Sequence, residues 1–89
     1  MKSEWIKVSG ERIEVSPENG KDYSLEELQR FVGGFIEIVY LGNLIMVVNE
    51  EGAINGMEHN EIASLIVMMA GGQDPIFGDV LVCPKEMVK

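Results

Sequence analysis

The stretch FIEIVYLGNLIMVVN, residues 35–49, decides the fold of this chain. Two runs rich in β-branched residues flank a Gly-Asn pair, which can take the positive φ angles of a two-residue hairpin loop. That loop length places Ile36 opposite Asn49 on one face of the sheet, and Glu37 beside Val48 on the other. The sequence therefore predicts a central β-hairpin in which the amide of Asn49 lies on an otherwise apolar face.

A short helix is predicted before this hairpin. Ser24 can accept a hydrogen bond from the amide of Glu27, and the Glu27 side chain can reach back to the amide of Ser24, which is a capping box. Gly33 and Gly34 then end the helix, because glycine adopts left-handed φ angles at the least cost. The hairpin is thus entered through a sharp glycine corner.

A second helix is predicted after the hairpin, from about Asn60 to Ala70, and it has no polar face after Ser64. A helix that is apolar all round must be covered on both sides. In a chain of 89 residues the sheet can cover only one side. We therefore expect the other side to meet a second copy, as in a dimer, or another protein. The residues expected at this interface are Leu65, Val67, Met68 and Met69.

The ends of the chain supply the remaining strands. Alternating residues 5–9 and 12–15 predict an N-terminal hairpin with a two-residue loop, in which Val8 faces Ile13. A last strand is predicted over residues 76–83. The element order is then β-β-α-β-β-α-β in a single domain, residues 1–89. This order predicts an α+β fold with two helices on one face of a mainly antiparallel sheet.

Composition and charge limit the partners. The chain is 46% hydrophobic with a net charge of −8, so it is too apolar for disorder, and no apolar run reaches the roughly 18 residues that span a bilayer. Residues 31–84 hold seven acids and no Lys or Arg, which argues against nucleic acid and anionic membranes as partners. The lone Cys83 and an N-terminus without a secretory signal favour the cytoplasm.

Few residues here suit catalysis or metal binding. His59 is the only histidine and precedes a helix, where a solvated or capping role is commoner than catalysis. One Cys and one His cannot make a zinc site, and the acids do not follow the calcium-loop pattern. We therefore expect no metal and no cofactor. An enzyme acting through Glu37 or Glu51 is the third-ranked hypothesis.

The insert NEEGAINGMEHN, residues 49–60, connects the hairpin to the second helix and could also form a site. Asn49 can either satisfy the backbone of a tight turn or be presented to a small ligand. A ligand would bind in the cleft between the glycine corner, this turn and the start of the second helix. The candidate ligand-binding residues are Gly33, Gly34, Glu37, Asn49, Glu50, Glu51, Gly52 and Asn60.

Three segments together resemble a known family: SLEELQRFVGGFIEIV, then LIMVVNEEGAINGMEHNEIA, then IFGDVLV. They resemble the domain family of unknown function numbered 3846, over roughly Tyr23 to Val82. The resemblance carries over no activity. It implies an intracellular accessory protein of a phage or mobile element, and it marks most of the candidate ligand-binding residues as positions of interest.

Two functional hypotheses from different classes follow. The first is a non-enzymatic binding or adaptor module that associates with itself and offers a cleft to a small ligand. The second is a decoy whose acids imitate DNA phosphates and so inhibit a DNA-handling enzyme. Decoys need rows of acids over an exposed face, whereas the acids here are dispersed among turns, so the decoy ranks second.

Overall fold

The structure, a computed structural model, describes residues 2–88. Five strands form one sheet in the order β2-β1-β5-β4-β3, and all the paired strands are antiparallel. The predicted α+β class and element order are therefore confirmed. The elements are β1 (Ser3–Ile6), β2 (Arg12–Val15), α1 (Leu25–Val32), β3 (Ile36–Tyr40), β4 (Leu44–Asn49), α2 (Glu61–Met69) and β5 (Val80–Pro84), followed by a 3-10 turn, Lys85–Met87.

The central hairpin has the predicted register. Ile36 pairs with Asn49 and Glu37 with Val48, and Gly42 supplies the positive φ of 88° at the loop. The two-residue loop therefore sets which side chains point to each face, as the sequence predicts.

The two helices lie on opposite faces of the sheet, so the prediction that both pack on one face is wrong. The reason lies in β4 and β5, whose successive apolar residues leave both faces needing cover. The face under α1 is built from Ile45, Val47, Leu81 and Cys83, with Tyr23, Leu28 and Val32 above it. The face under α2 is built from Ile6, Met46, Val48 and Val80, with Ala63, Val67 and Ile76 above it.

The first hairpin differs from the prediction in its register. A two-residue loop would pair Val8 with Ile13, whereas the structure pairs Trp5 with Ile13. The loop is one residue longer than predicted, and the amide of Val8 donates instead to the Asp79 carboxylate at 2.9 Å. Since side chains alternate between faces, this odd shift places Ile6 on the opposite face from Ile13 and Val15, and Ile6 is fully buried in the core under α2.

The predicted helix boundaries are confirmed. Ser24 and Glu27 form the capping box, and α1 ends at Gly33 with a φ of 77°. Asn60 caps α2 by accepting from the amide of Ala63 at 3.0 Å. Beyond α2, the amide of Gly72 donates to a carbonyl of the last helical turn.

The last strand is shorter than predicted, because β5 begins at Val80 rather than at residue 76. Residues 76–78 pair with the segment before α2: the amide of Asn60 donates to the carbonyl of Ile76, and the amide of Gly78 donates to the carbonyl of Glu58. The positive φ of Gly78, 87°, turns the chain between this pairing and β5.

Candidate functional site

Asn49 joins the end of α1 to the turn after β4. Its side chain is 7% exposed. Nδ2 donates to the carbonyl of Val32 at 3.0 Å, and Oδ1 accepts from the amide of Glu51 at 2.8 Å. The first bond satisfies a carbonyl that α1 cannot satisfy internally, and the second closes an Asx turn.

Glycine is required beside this amide. A Cβ on Gly34 would lie 2.9 Å from Nδ2 of Asn49, which is closer than van der Waals contact. Another last-turn carbonyl of α1, that of Phe31, accepts from Nε1 of Trp5 at 3.1 Å. The side chains of β1 and β4 thus hold the carboxyl end of α1 against the sheet.

Asn60 joins three separate segments and is fully buried. Besides capping α2, it donates through Nδ2 to the carbonyls of Ile6 at 3.1 Å and Gly78 at 2.9 Å. Both amide hydrogens and the side-chain oxygen therefore have partners inside the fold. This arrangement fixes the start of α2 relative to β1 and the segment before β5.

Only some of the predicted ligand-binding residues converge. Glu37, Asn49, Glu50 and Gly52 line a cavity of about 160 Å³, together with Val39, Val48, Ala53 and residues 74–77. Gly33 lines a different cavity beside Trp5, and Gly34 lies against the side chain of Asn49. Glu51 lies on the exposed turn, and Asn60 is buried elsewhere.

The outer side of α2 is exposed to solvent in the single subunit. Leu65, Met68 and Met69 are 54%, 61% and 87% exposed. Val67 differs from its predicted place, because it is buried with Ala63 in the core beneath the helix. The sheet covers one side of α2, as expected, and three of the four predicted interface residues face outward.

Sequence reasoning missed the groove beside this helix face. It has a volume of about 350 Å³ and lies between α2 and the loop that follows it. His59, Leu65, Met68 and Pro75 are among its lining residues. The only sequence signal is the Gly-Gly-Gln-Asp-Pro run after α2, which predicts a turn but not that it folds back beside the helix.

A histidine and a serine meet at the wall of the groove. Nε2 of His59 and Oγ of Ser64 are 3.0 Å apart, and Oγ also accepts from the amide of Ile76 at 2.9 Å. The His59 ring packs edge-on against Phe77, with ring centroids 5.6 Å apart. These contacts fasten the loop after α2 to the start of the helix.

Three titratable groups have shifted pKa values for local reasons, and burial raises the pKa of the Tyr23 hydroxyl. Burial raises the pKa of the Cys83 thiol to about 11, because an apolar surrounding disfavours the charged thiolate. Hydrogen bonds from the amides of Ser24 and Glu18 lower the pKa of Glu27, because they stabilise its carboxylate.

Among residues 2–88 no group of three or more His, Cys, Asp or Glu side chains is placed to hold a metal ion. Over the same residues, no helix is long and apolar enough to cross a membrane.

The family model described as "Domain of unknown function (DUF3846)" matches residues 6–87, which is most of the chain and extends beyond the segments that carried the resemblance. No curated protein and no solved structure is significantly similar to the chain.

Proposed function

The chain belongs to the DUF3846 family, and on that premise we propose that it is a non-enzymatic binding module that associates with a second copy of itself through the outer face of α2. The outer face is defined by Leu65, Met68 and Met69. The observation that carries the proposal is the exposure of these three large apolar side chains on one short helix. In keeping with the resemblance, we place the protein among intracellular accessory proteins of phages or mobile elements.

The exposed area is enough for a weak dimer. The exposed fractions of the three side chains add up to about two complete side chains in each copy, and to about four in a dimer. Burying each contributes about 1.5–3 kcal/mol, a gross gain of about 6–12 kcal/mol. Association costs at least about 4 kcal/mol in lost freedom. The remainder corresponds to a dissociation constant in the micromolar range or weaker.

Charge supports a second copy at this face rather than elsewhere. Each chain carries a net charge of −8, so two copies repel each other over most of their surface. Residues 62–73 contain no charged side chain, and they include all of α2 after Glu61. Two such faces can therefore meet without opposing their acids.

The test compares two substitutions of an exposed apolar residue by glutamate. Met68→Glu places a charge on the outer face of α2, and Ile54→Glu places the same charge on the exposed loop between β4 and α2. Sedimentation equilibrium over about 1–300 μM starts at the tightest dissociation constant worked out above and extends to concentrations about 300 times higher.

Wild type and the Ile54→Glu variant should dimerise, and the Met68→Glu variant should remain monomeric. A wild-type monomer throughout this range would refute the proposal. So would a dimer that withstands Met68→Glu, because it would use another surface.

A further inference from the structure

Strand β3 lies at the edge of the sheet, and β4 is its strand neighbour within residues 2–88. Its inner hydrogen bonds come from odd-numbered residues: the carbonyl of Phe35 accepts from Glu50, and the amide of Leu41 donates to Leu44. In an antiparallel pair, residues whose backbone amide and carbonyl groups bond to the neighbouring strand alternate with residues whose backbone groups point away from it. The amides and carbonyls of Ile36, Ile38 and Tyr40 therefore face outward, free to pair with another strand.

The opposite edge of the sheet is protected, whereas this edge is not. Strand β2 alternates charged side chains, and its Arg12 and Glu14 both form ion pairs with neighbouring residues. Charges of this kind discourage a further strand. Strand β3 instead has exposed aromatic side chains at or beside its two ends, Phe35 at 66% and Tyr40 at 75%, and a single charge, Glu37.

The chemistry beside β3 selects the strand that would pair with it. Glu37 projects on the face that carries the 160 Å³ cavity, and Glu50 and Asp74 also line that cavity. None of the three forms an ion pair within residues 2–88. All the residues that line the cavity lie within residues 31–84, which contain no Lys or Arg, so the cavity wall supplies no cation of this kind. An incoming cation would therefore meet uncompensated acids.

We propose that β3 pairs antiparallel with an extended segment of a partner protein, and that this segment carries a Lys or Arg opposite Glu37. The open backbone of β3 supplies the hydrogen bonds, as in other cases of strand addition to a sheet edge. Residues opposite each other across the new pair contact directly, so a basic side chain opposite Glu37 lies at the mouth of the acidic cavity.

The register of β3 specifies a probe peptide. The positions opposite Val39 and Ile38 meet apolar side chains, and the next position toward the peptide's C-terminus meets Glu37. The matching heptapeptide is Ser-Thr-Val-Val-Lys-Thr-Ser, with its lysine opposite Glu37. The control peptide Ser-Thr-Val-Val-Glu-Thr-Ser differs only at this residue, so no shift of register can bring a lysine opposite Glu37.

Fluorescence polarisation of the labelled peptides gives both affinities. The matching peptide should bind with a Kd below about 1 mM, and a weaker affinity counts as no specific binding in this test. It should bind about fivefold more tightly than the glutamate control, which is the upper range for a partly exposed ion pair. The difference should shrink as salt is added.

Two variants test the backbone and the charge separately. Tyr40→Pro removes an outward amide from a residue whose side chain is exposed, so the fold tolerates it at an edge, and it should abolish binding. Glu37→Lys should reverse the preference, so that the matching peptide with glutamate in place of lysine binds better. Circular dichroism confirms that each variant is folded.

The proposal fails if the matching peptide does not bind with a Kd below about 1 mM, if the glutamate control binds equally well, or if folded Tyr40→Pro binds as wild type does. It does not depend on self-association through α2, because peptide binding is measured on a different element. If Tyr40→Pro instead abolished the dimer and Met68→Glu did not, β3 would pair with a second copy of the chain, and this outcome would overturn both proposals.

Discussion

Replacing Asn49 by alanine should strongly destabilise the fold, because its amide is part of the structure. The change removes the hydrogen bond to the buried carbonyl of Val32 and the one from the amide of Glu51. The carbonyl is left without a partner, which costs about 1–3 kcal/mol, and the second bond contributes a further 1 kcal/mol or so. The free energy of unfolding should therefore fall by about 2–4 kcal/mol.

Urea unfolding followed by the fluorescence of Trp5 measures this loss. Trp5 is the only tryptophan, and its indole donates to the carboxyl end of α1, close to the point of change. For a slope of about 1–3 kcal/mol per molar urea, the midpoint should fall by about 1–4 M. All samples must be compared at one protein concentration, since self-association would stabilise the folded state.

A matched control lies in the same loop. Asn55 is exposed, so Asn55→Ala should change the free energy of unfolding by no more than about 0.5 kcal/mol. If Asn49→Ala were equally mild, the amide would not be needed to join α1 to the turn. The reasoning that assigns Asn49 to the fold would then be refuted, and ligand binding would become the better account of this residue.

Two further predictions concern Gly34 and Cys83. Gly34→Ala should lower the free energy of unfolding by about 1–3 kcal/mol, because the new methyl group crowds Nδ2 of Asn49. The loss should be smaller when Asn49 is already alanine. If a double-mutant cycle of urea unfolding gave additive losses, the contact between the two residues would be contradicted. The pKa of Cys83 is about 11 in the folded state, above the ordinary value of 9.0. The neutral thiol therefore stabilises the fold fully below pH 9, and this stabilisation is lost as the pH rises toward 11. Between about pH 8 and pH 10.5, wild type should lose about 2 kcal/mol more than Cys83→Ala, and parallel losses in the two proteins would count against a buried neutral thiol.

Local signals predict much of this fold, because they act between residues that are close in sequence. The two-residue loop at Gly42 sets the register of the central hairpin, and the capping box and Gly33 set the ends of α1. The prediction fails where distant residues decide. The carboxylate of Asp79 takes the amide of Val8, and this bond lengthens the first loop and changes its register.

The placement of the helices could not be predicted by the same reasoning. An apolar helix and an apolar strand each indicate that their side chains must be buried against another layer. Neither indicates on which face of the sheet a helix packs. The evidence was present in β4, where Ile45 and Met46 point to opposite faces and both are buried. A strand of this kind requires a layer on each side, and this requirement outweighs the expectation of one open face for an antiparallel sheet.

The candidate site was predicted only in part, because a polar residue in an apolar setting has two explanations that look alike in sequence. Asn49 stood out for this reason, and Asn60 stood out through its place at the start of α2 and the family resemblance. Both satisfy backbone groups of distant segments. Such groups would otherwise be buried without partners, so the fold alone accounts for an amide at each position. Recognition of a partner needs donors, acceptors or apolar area that the fold has not already used. The outer face of α2 and the open edge of β3 have these, and of the predicted ligand-binding residues only Glu37 lies on either of them.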